Sequence, residues 1–384
     1  MLSEDFHVPE VTIANIESIE RVTDKKSLTI EIEALDSKYK LDRINVWIND
    51  VAIFGKNGID KRTLDIQSSK DKIEVRLASG INKIQVSALN QKGAESLKEI
   101  FEVNYNSPSA KPDLYLISIG ISKYRDSRFN LNYASKDASD ISQLFKGDTS
   151  LYKNIYVKTL TDEQVTTSKL DELRTFFEGA GRDDVVMLFV AGHGLLDVNL
   201  DYYFGTYDMD FNNPAGKGII YDNIEALFDG LNSLKKILFM DTCFSGEVDK
   251  DEVVLAQATN TEFGNVTFRS AGAGVRMKEG FGMDNTTEIM KELFTDIRKG
   301  TGSTVISSAG GAEFAMEGEQ WKNGLFTFCV LNGINKKAAD LNNDGKIMLS
   351  ELQNYVRTNV SKLSNGKQSP TSRIQNVSMD FRVW

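Results

Sequence analysis

The hydrophobic period of this chain changes once, close to residue 105, and a chain that changes period in this way is not one uniform fold. From about residue 11 to 103, apolar residues alternate with polar ones in short segments such as 28–32 (LTIEI), 44–51 (INVWINDV), 73–77 (IEVRL) and 84–88 (IQVSA), with glycine-bearing turns at 55–58, Gly80 and Gly93. Period-2 alternation over short, turn-bounded segments predicts half-buried antiparallel strands, and several at this spacing predict an all-β sandwich, Ig-like or fibronectin-like in class, over residues 1–105. The polar, proline-containing stretch 106–112 reads as a linker. From 113 to 384 the texture is different. A nearly continuous apolar run at 114–121 (LYLISIGI) and further strand segments at 155–160, 185–191, 236–240 and 304–308 alternate with helical patterns at 133–145, 167–177, 222–231 and 325–334. A continuous apolar run is what a strand buried on both faces requires, so this part predicts an α/β fold with a mainly parallel sheet flanked by helices. In such sheets the sites lie at the carboxyl ends of the strands.

Composition narrows the chemistry. The 384 residues hold two His, His7 and His193, and two Cys, Cys243 and Cys329. That excludes a His- and Cys-rich zinc site and a disulfide-stapled scaffold, and two thiols suit a reducing compartment. The net charge of −10 argues against a nucleic-acid or anionic-membrane surface. The first residues show no basic n-region or apolar h-region, and no apolar run is long enough to span a bilayer, so the expected location is cytoplasmic. His7 is expected in a frayed terminus. His193 is then the imidazole available for catalysis.

Two strand ends carry unusual residues. The run 185–190 leads into Ala191-Gly192-His193-Gly194, and the run 237–240 leads into Asp241-Thr242-Cys243-Phe244-Ser245-Gly246. A thiol is a strong nucleophile only as thiolate, and a neighbouring imidazole can serve as its base. Backbone amides near Gly194 and Cys243 are placed to bind an oxyanion. Taken singly, a buried Cys is ordinarily packing and a lone His ordinarily structural. A His and a Cys together, at the ends of two parallel strands, favour catalysis. Cys329, within 325–331 (LFTFCVL), reads as helix packing.

With AGHG at 191–194, DTCFSG at 241–246, LYLISIGISKY at 114–124, SKDASDISQLF at 135–145 and WKNGLFT at 321–327, residues 113–384 resemble the caspase-like cysteine peptidase family, its metacaspase-like branch in particular. The resemblance implies an endopeptidase using a His193–Cys243 dyad. Caspases carry Gln two positions before the Cys, whereas this chain carries Asp241; the resemblance to metacaspases implies that Asp241 and Asp137 line the pocket for the residue before the cut and select Arg or Lys. Carboxylates suit a guanidinium well. It also implies protein or peptide substrates with a basic residue at the cut, and self-cleavage or gating in the long segment 247–299, where Lys250, Arg269, Arg276 and Lys278 lie. The sandwich is expected to act as a spacer or to dock a regulatory protein partner.

A second motif is independent of the first. Asp340-Leu341-Asn342-Asn343-Asp344-Gly345-Lys346-Ile347-Met348-Leu349-Ser350-Glu351 fits an EF-hand loop, with oxygen donors at Asp340, Asn342 and Asp344, glycine sixth, the Lys346 carbonyl seventh and Glu351 twelfth. These hard oxygen donors predict a Ca²⁺ site, structural or activating, and no organic cofactor is expected. The resemblance to metacaspases suggests a further acidic site, for which Asp208, Asp222 and Asp249 are the positional candidates. The rival reading is a catalytically silent, Ca²⁺-binding caspase-like interaction module; the presence of both dyad residues counts against it.

Overall fold

The computed structural model describes residues 7–107, 110–147, 150–197, 199, 201–242, 266–268, 301–309, 315–374 and 380–384. The first part is built from strands β1 (Glu10–Ile13), β2 (Ser27–Leu35), β3 (Leu41–Ile48), β4 (Ser68–Arg76), β5 (Gly80–Asn90) and β6 (Glu99–Tyr105). One sheet runs β1-β2-β4; the other runs β6-β5-β3, with the short strands Val22–Thr23 and Val51–Ala52 at its two edges. Alternation aims Ile30, Ile32 and Ala34 of one sheet and Ile44, Val46 and Ile48 of the other into one shared core. A register shift between Leu41 and Arg43 lets Leu41 and Ile44, three residues apart, reach the same interior, as a bulge does. His7 is not frayed. Its Nδ1 lies 3.0 Å from the buried Asp36 carboxylate, and its Nε2 lies 3.1 Å from the Ser37 hydroxyl.

The second part is an α/β fold. Its elements are β7 (Leu114–Gly120), α1 (Ala134–Lys146), β8 (Ile155–Thr161), α2 (Leu170–Glu178), β9 (Val185–Gly192), β10 (Gly194–Leu196), β11 (Tyr202–Phe204), α3 (Tyr221–Ala226), β12 (Lys235–Thr242), β13 (Ser303–Ser307), β14 (Met316–Gly318), α4 (Leu325–Asn335), α5 (Leu349–Leu363) and β15 (Thr371–Ile374). The central sheet is ordered β8-β7-β9-β12-β13-β15, with every pair parallel except the antiparallel edge strand β15. All eight residues of β9 are buried, which explains its unbroken apolar run. Burying one of its large side chains, such as Leu188 or Phe189, contributes about 1.5–3 kcal/mol. The helix expected over 222–231 stops at Ala226, because the amides from Leu227 onward close tighter turns onto residues 224–228. Among the described residues no helix is long and apolar enough to cross a membrane.

The two parts meet at the amino ends of the parallel strands. Leu234, just before β12, is buried in the core of the first part. Ser79 donates through its amide and its hydroxyl to Asp183, ahead of β9, at 3.0 and 2.9 Å, and the Lys56 amide donates to Asp229 at 2.8 Å. Lys236, fully buried, donates from Nζ to the carbonyls of Phe228 and Thr301 at 3.1 and 2.8 Å. Burial pulls its ammonium down to about 7.

Candidate active site

At the carboxyl ends of the same strands the register brings two segments level. Ala191 of β9 lies opposite Asp241 of β12, and Gly192 lies opposite Thr242. Gly192 and Thr242 are each followed in the sequence by one of the two candidate dyad residues. The first is His193. The second, Cys243, lies outside the described residues, as does the segment 247–299.

Gly192 has φ +153°, and a Cβ there would stand 2.9 Å from Tyr124 Oη and 3.2 Å from Phe204 Cε2. Only glycine fits this turn without displacing its neighbours. The turn presents the backbone amide of His193 to Tyr124 Oη, which accepts at 3.0 Å. The imidazole Nε2 lies 2.8 Å from the carbonyl oxygen of Phe129. A carbonyl only accepts, so Nε2 carries the proton, and in the neutral ring Nδ1 holds the basic lone pair. Tyr124 and Phe211 pack against the ring at centroid distances of 5.1 and 5.5 Å, and Phe129 stacks on Phe211 at 3.7 Å. His193 is only 2% exposed. Its rotation is thus restricted on every side these groups occupy.

Cys329 on α4 is 1% exposed, and burial, with the Asp241 carboxylate a smaller contributor, pushes its thiol up to about 12. A thiol held there is not ionised near neutral pH, so Cys329 is packing, as its helix context predicts.

The two expected pocket carboxylates both hold the start of α4. Asp137 of α1 accepts from Asn323 Nδ2 at 2.8 Å and from the Gly324 amide at 3.1 Å, and Asn323 Nδ2 also reaches Asp140 at 2.8 Å. Asp241 accepts from Thr327 Oγ1 at 2.6 Å and from the Thr327 amide at 3.3 Å. Both carboxylates are fully buried. The positive end of a helix dipole attracts negative charge, so a helix start is a suitable place for two acids. Glu317 of β14 plays the same part for α1, accepting from the amides of Asn132 and Tyr133 at 2.7 and 3.2 Å. Sequence reasoning missed Glu317, Tyr124 and Phe129: their partners stand 64 or more positions away, where no periodicity points. Gly194, the expected oxyanion donor beside His193, begins β10 and pairs with Phe204 of β11.

The loop between α4 and α5 turns through Gly345 at φ +81°. Asp340 accepts from the amides of Asp344 and Gly345, Asn342 from Asp344, and Asp344 from Lys346. Glu351 accepts from Leu341, Asn342 and Met348. The donor chemistry suits a hard cation, while these oxygens here satisfy the loop's own amides. Among the described residues no three His, Cys, Asp or Glu side chains are grouped as a metal site. Ile347 pairs with the tail, its amide donating to Trp384 and its carbonyl accepting from Val383. Asp208 pairs with Lys217 at 2.6 Å, which holds its carboxyl below the ordinary range, and Asp249 lies outside the described residues.

A model of the caspase domain matches residues 115–381. No curated protein gives a match. Among solved structures, a protein of Geobacter sulfurreducens is similar at 18% identity over 68% of this chain and 93% of that one, with a TM-score of 0.45. Caspase-1 from Spodoptera frugiperda is similar at 11% identity over 71% and 94%, with a TM-score of 0.42. A fibronectin(III)-like module structure of Clostridium thermocellum CbhA covers 27% of this chain and 48% of its own, at 19% identity and a TM-score of 0.21.

Proposed function

The chain belongs to the caspase domain family, a family of cysteine peptidases, and from that premise we propose that it is an endopeptidase with Cys243 as nucleophile and His193 as its base. The observation that carries this reading is the orientation of His193. With Nε2–H committed to the Phe129 carbonyl, Nδ1 is the nitrogen that takes the thiol proton. The thiolate attacks the scissile carbonyl carbon, and the imidazolium returns the proton to the departing amine. Water then hydrolyses the thioester with the same imidazole as base. The amides of Gly194 and Cys243 are the proposed donors to the oxyanion.

Asp241 and Asp137 are the proposed receivers of an Arg or Lys side chain. The support is that both carboxylates are buried around one helix start, where an entering guanidinium meets two acids in a medium that strengthens charge pairing. Segment 247–299 is the proposed place of self-cleavage, at its basic residues Lys250, Arg269, Arg276 or Lys278. The loop 340–351 is proposed to bind Ca²⁺ through Asp340, Asn342, Asp344, the Lys346 carbonyl and Glu351, by exchanging amide partners for the ion. The compartment that suits this enzyme is a reducing one such as the cytoplasm, because a thiolate must stay reduced to act, and the first part is proposed to dock a regulatory protein.

The test is a panel of fluorogenic peptides ending in Arg, Lys or Asp, with and without Ca²⁺, beside Cys243→Ala. Cleavage after Arg or Lys that vanishes in the variant supports the reading. Cleavage after Asp, or cleavage that survives in the variant, overturns it. Calorimetric titration with Ca²⁺ and Glu351→Gln tests the loop by itself; heats that are the same for both proteins would remove the ion from the account.

A further inference from the structure

Thr242, the last residue of β12, is held at two atoms by groups from different elements. Its hydroxyl accepts from Tyr202 Oη at 2.8 Å, and its carbonyl oxygen accepts from Ser308 Oγ at 2.9 Å. Ser308 follows β13 and is itself fixed. Its amide donates to the Met240 carbonyl at 2.7 Å, and its carbonyl accepts from Gln368 Nε2 at 2.9 Å. Behind Tyr202, the ring of Tyr221 stands edge-on at 6.2 Å, Tyr221 Oη donates to Glu225 at 3.2 Å, and Glu225 pairs with Arg373 of β15. Thr242, Ser308, Tyr202, Tyr221, Glu225 and Arg373 are all buried. Burying phenols and an ion pair is costly compared with apolar packing of the same volume. A β-branched apolar residue at 242 would meet every packing need of a buried strand end.

The peptide unit is planar, so the carbonyl of Thr242 and the amide N–H of Cys243 belong to one rigid plane. We propose that Ser308, assisted by Tyr202, is a positioning residue for the proposed nucleophile: it holds the Thr242 carbonyl, to which the amide of Cys243, the proposed oxyanion donor, is covalently joined. This rests on the reading of Cys243 as nucleophile. Neither residue touches the reacting atoms; each acts through Thr242.

The test separates steps that form an oxyanion from steps that do not. Alkylation of a thiolate by iodoacetamide forms none, whereas hydrolysis and inhibition by a peptidyl arginine aldehyde both do. Ser308→Ala is expected to lower kcat about tenfold or more with KM within twofold, since small misplacements of catalytic groups have effects of this size. The same variant is expected to weaken aldehyde inhibition in parallel and to leave the alkylation rate of Cys243 unchanged. Tyr202→Phe is expected to do the same to a smaller degree, and Ser308→Thr, which keeps the hydroxyl, to recover most of the loss. A wild-type kcat in Ser308→Ala, or an alkylation rate that falls together with kcat, overturns the proposal. Full activity in Cys243→Ala would instead overturn the reading beneath it, so the two failures are distinct.

Discussion

The two ends of the central sheet use hydrogen-bonding polar groups for opposite purposes. At the amino ends, Lys236 ties together the carbonyls of Phe228 and Thr301, Asp183 and Asp229 receive donors from the first domain, and Leu234 plugs that domain's core. These contacts join segments of backbone and join two domains. At the carboxyl ends, Tyr124, Phe129, Tyr202 and Ser308 grip the residues around His193 and Thr242. There the bonds aim particular groups. The difference teaches that burial and hydrogen bonding alone do not mark a functional site in this molecule; the proposed one is set apart by convergence on two adjacent strand ends.

Substitutions at the two ends should therefore fail differently. The largest divergence is expected between Gly192→Ala and Leu234→Ala. Gly192→Ala forces a Cβ into Tyr124 and Phe204 and is expected to lower kcat about 100-fold by shifting His193. Leu234→Ala is expected to cost about 2–5 kcal/mol in urea unfolding while leaving kcat of the folded protein within about twofold. Loss of kcat in both, or in neither, would break the contrast.

Asp241→Asn tests whether the carboxyl end also selects substrate. Removing the charge while keeping an oxygen toward Thr327 is expected to lower kcat/KM for arginyl peptides by roughly ten- to a hundredfold. Similar losses for arginyl and uncharged peptides would make Asp241 a helix-holding group alone.

A smaller effect sharpens the other end. Lys236 falls to about 7 in the native protein from an ordinary 10.5. Between those values the unfolded chain binds a proton that the native chain lacks, so stability rises with pH across that window and is lowest below it. Relative to Lys236→Met, the wild type is expected to gain urea-unfolding midpoint from pH 7 to pH 10 with unaltered kcat. A constant difference across that range would contradict the burial of an uncharged amine there.

Much of this was legible in the sequence, and the reason is local. The strand runs, the change of period, His193 beside Gly192 and Asp241 in its motif are each written in consecutive residues. The pattern over 222–231 continues past Ala226, where the backbone tightens and the helix ends. Nothing near His7 in the sequence points to Asp36, its partner, which lies in another strand's turn. The remaining site depends on side chains meeting across long separations: Tyr202 with Thr242, 40 positions apart, Asn323 with Asp137, 186 apart, and Glu317 with Asn132, 185 apart. Nor does any pattern announce that the first domain packs on the amino ends of the sheet, since Leu234 looks like one more apolar residue before a strand.

The central claim is that one of two thiols is chemically distinct because of the strand end that bears it. Incubating the protein with a peptidyl arginine electrophile and locating the adduct by mass spectrometry tests that most directly. A single adduct is expected on Cys243, at least about tenfold slower to form in His193→Ala, and none on Cys329, whose thiol is buried and pushed up to about 12. An adduct on Cys329, or labelling of Cys243 that ignores His193, would contradict it.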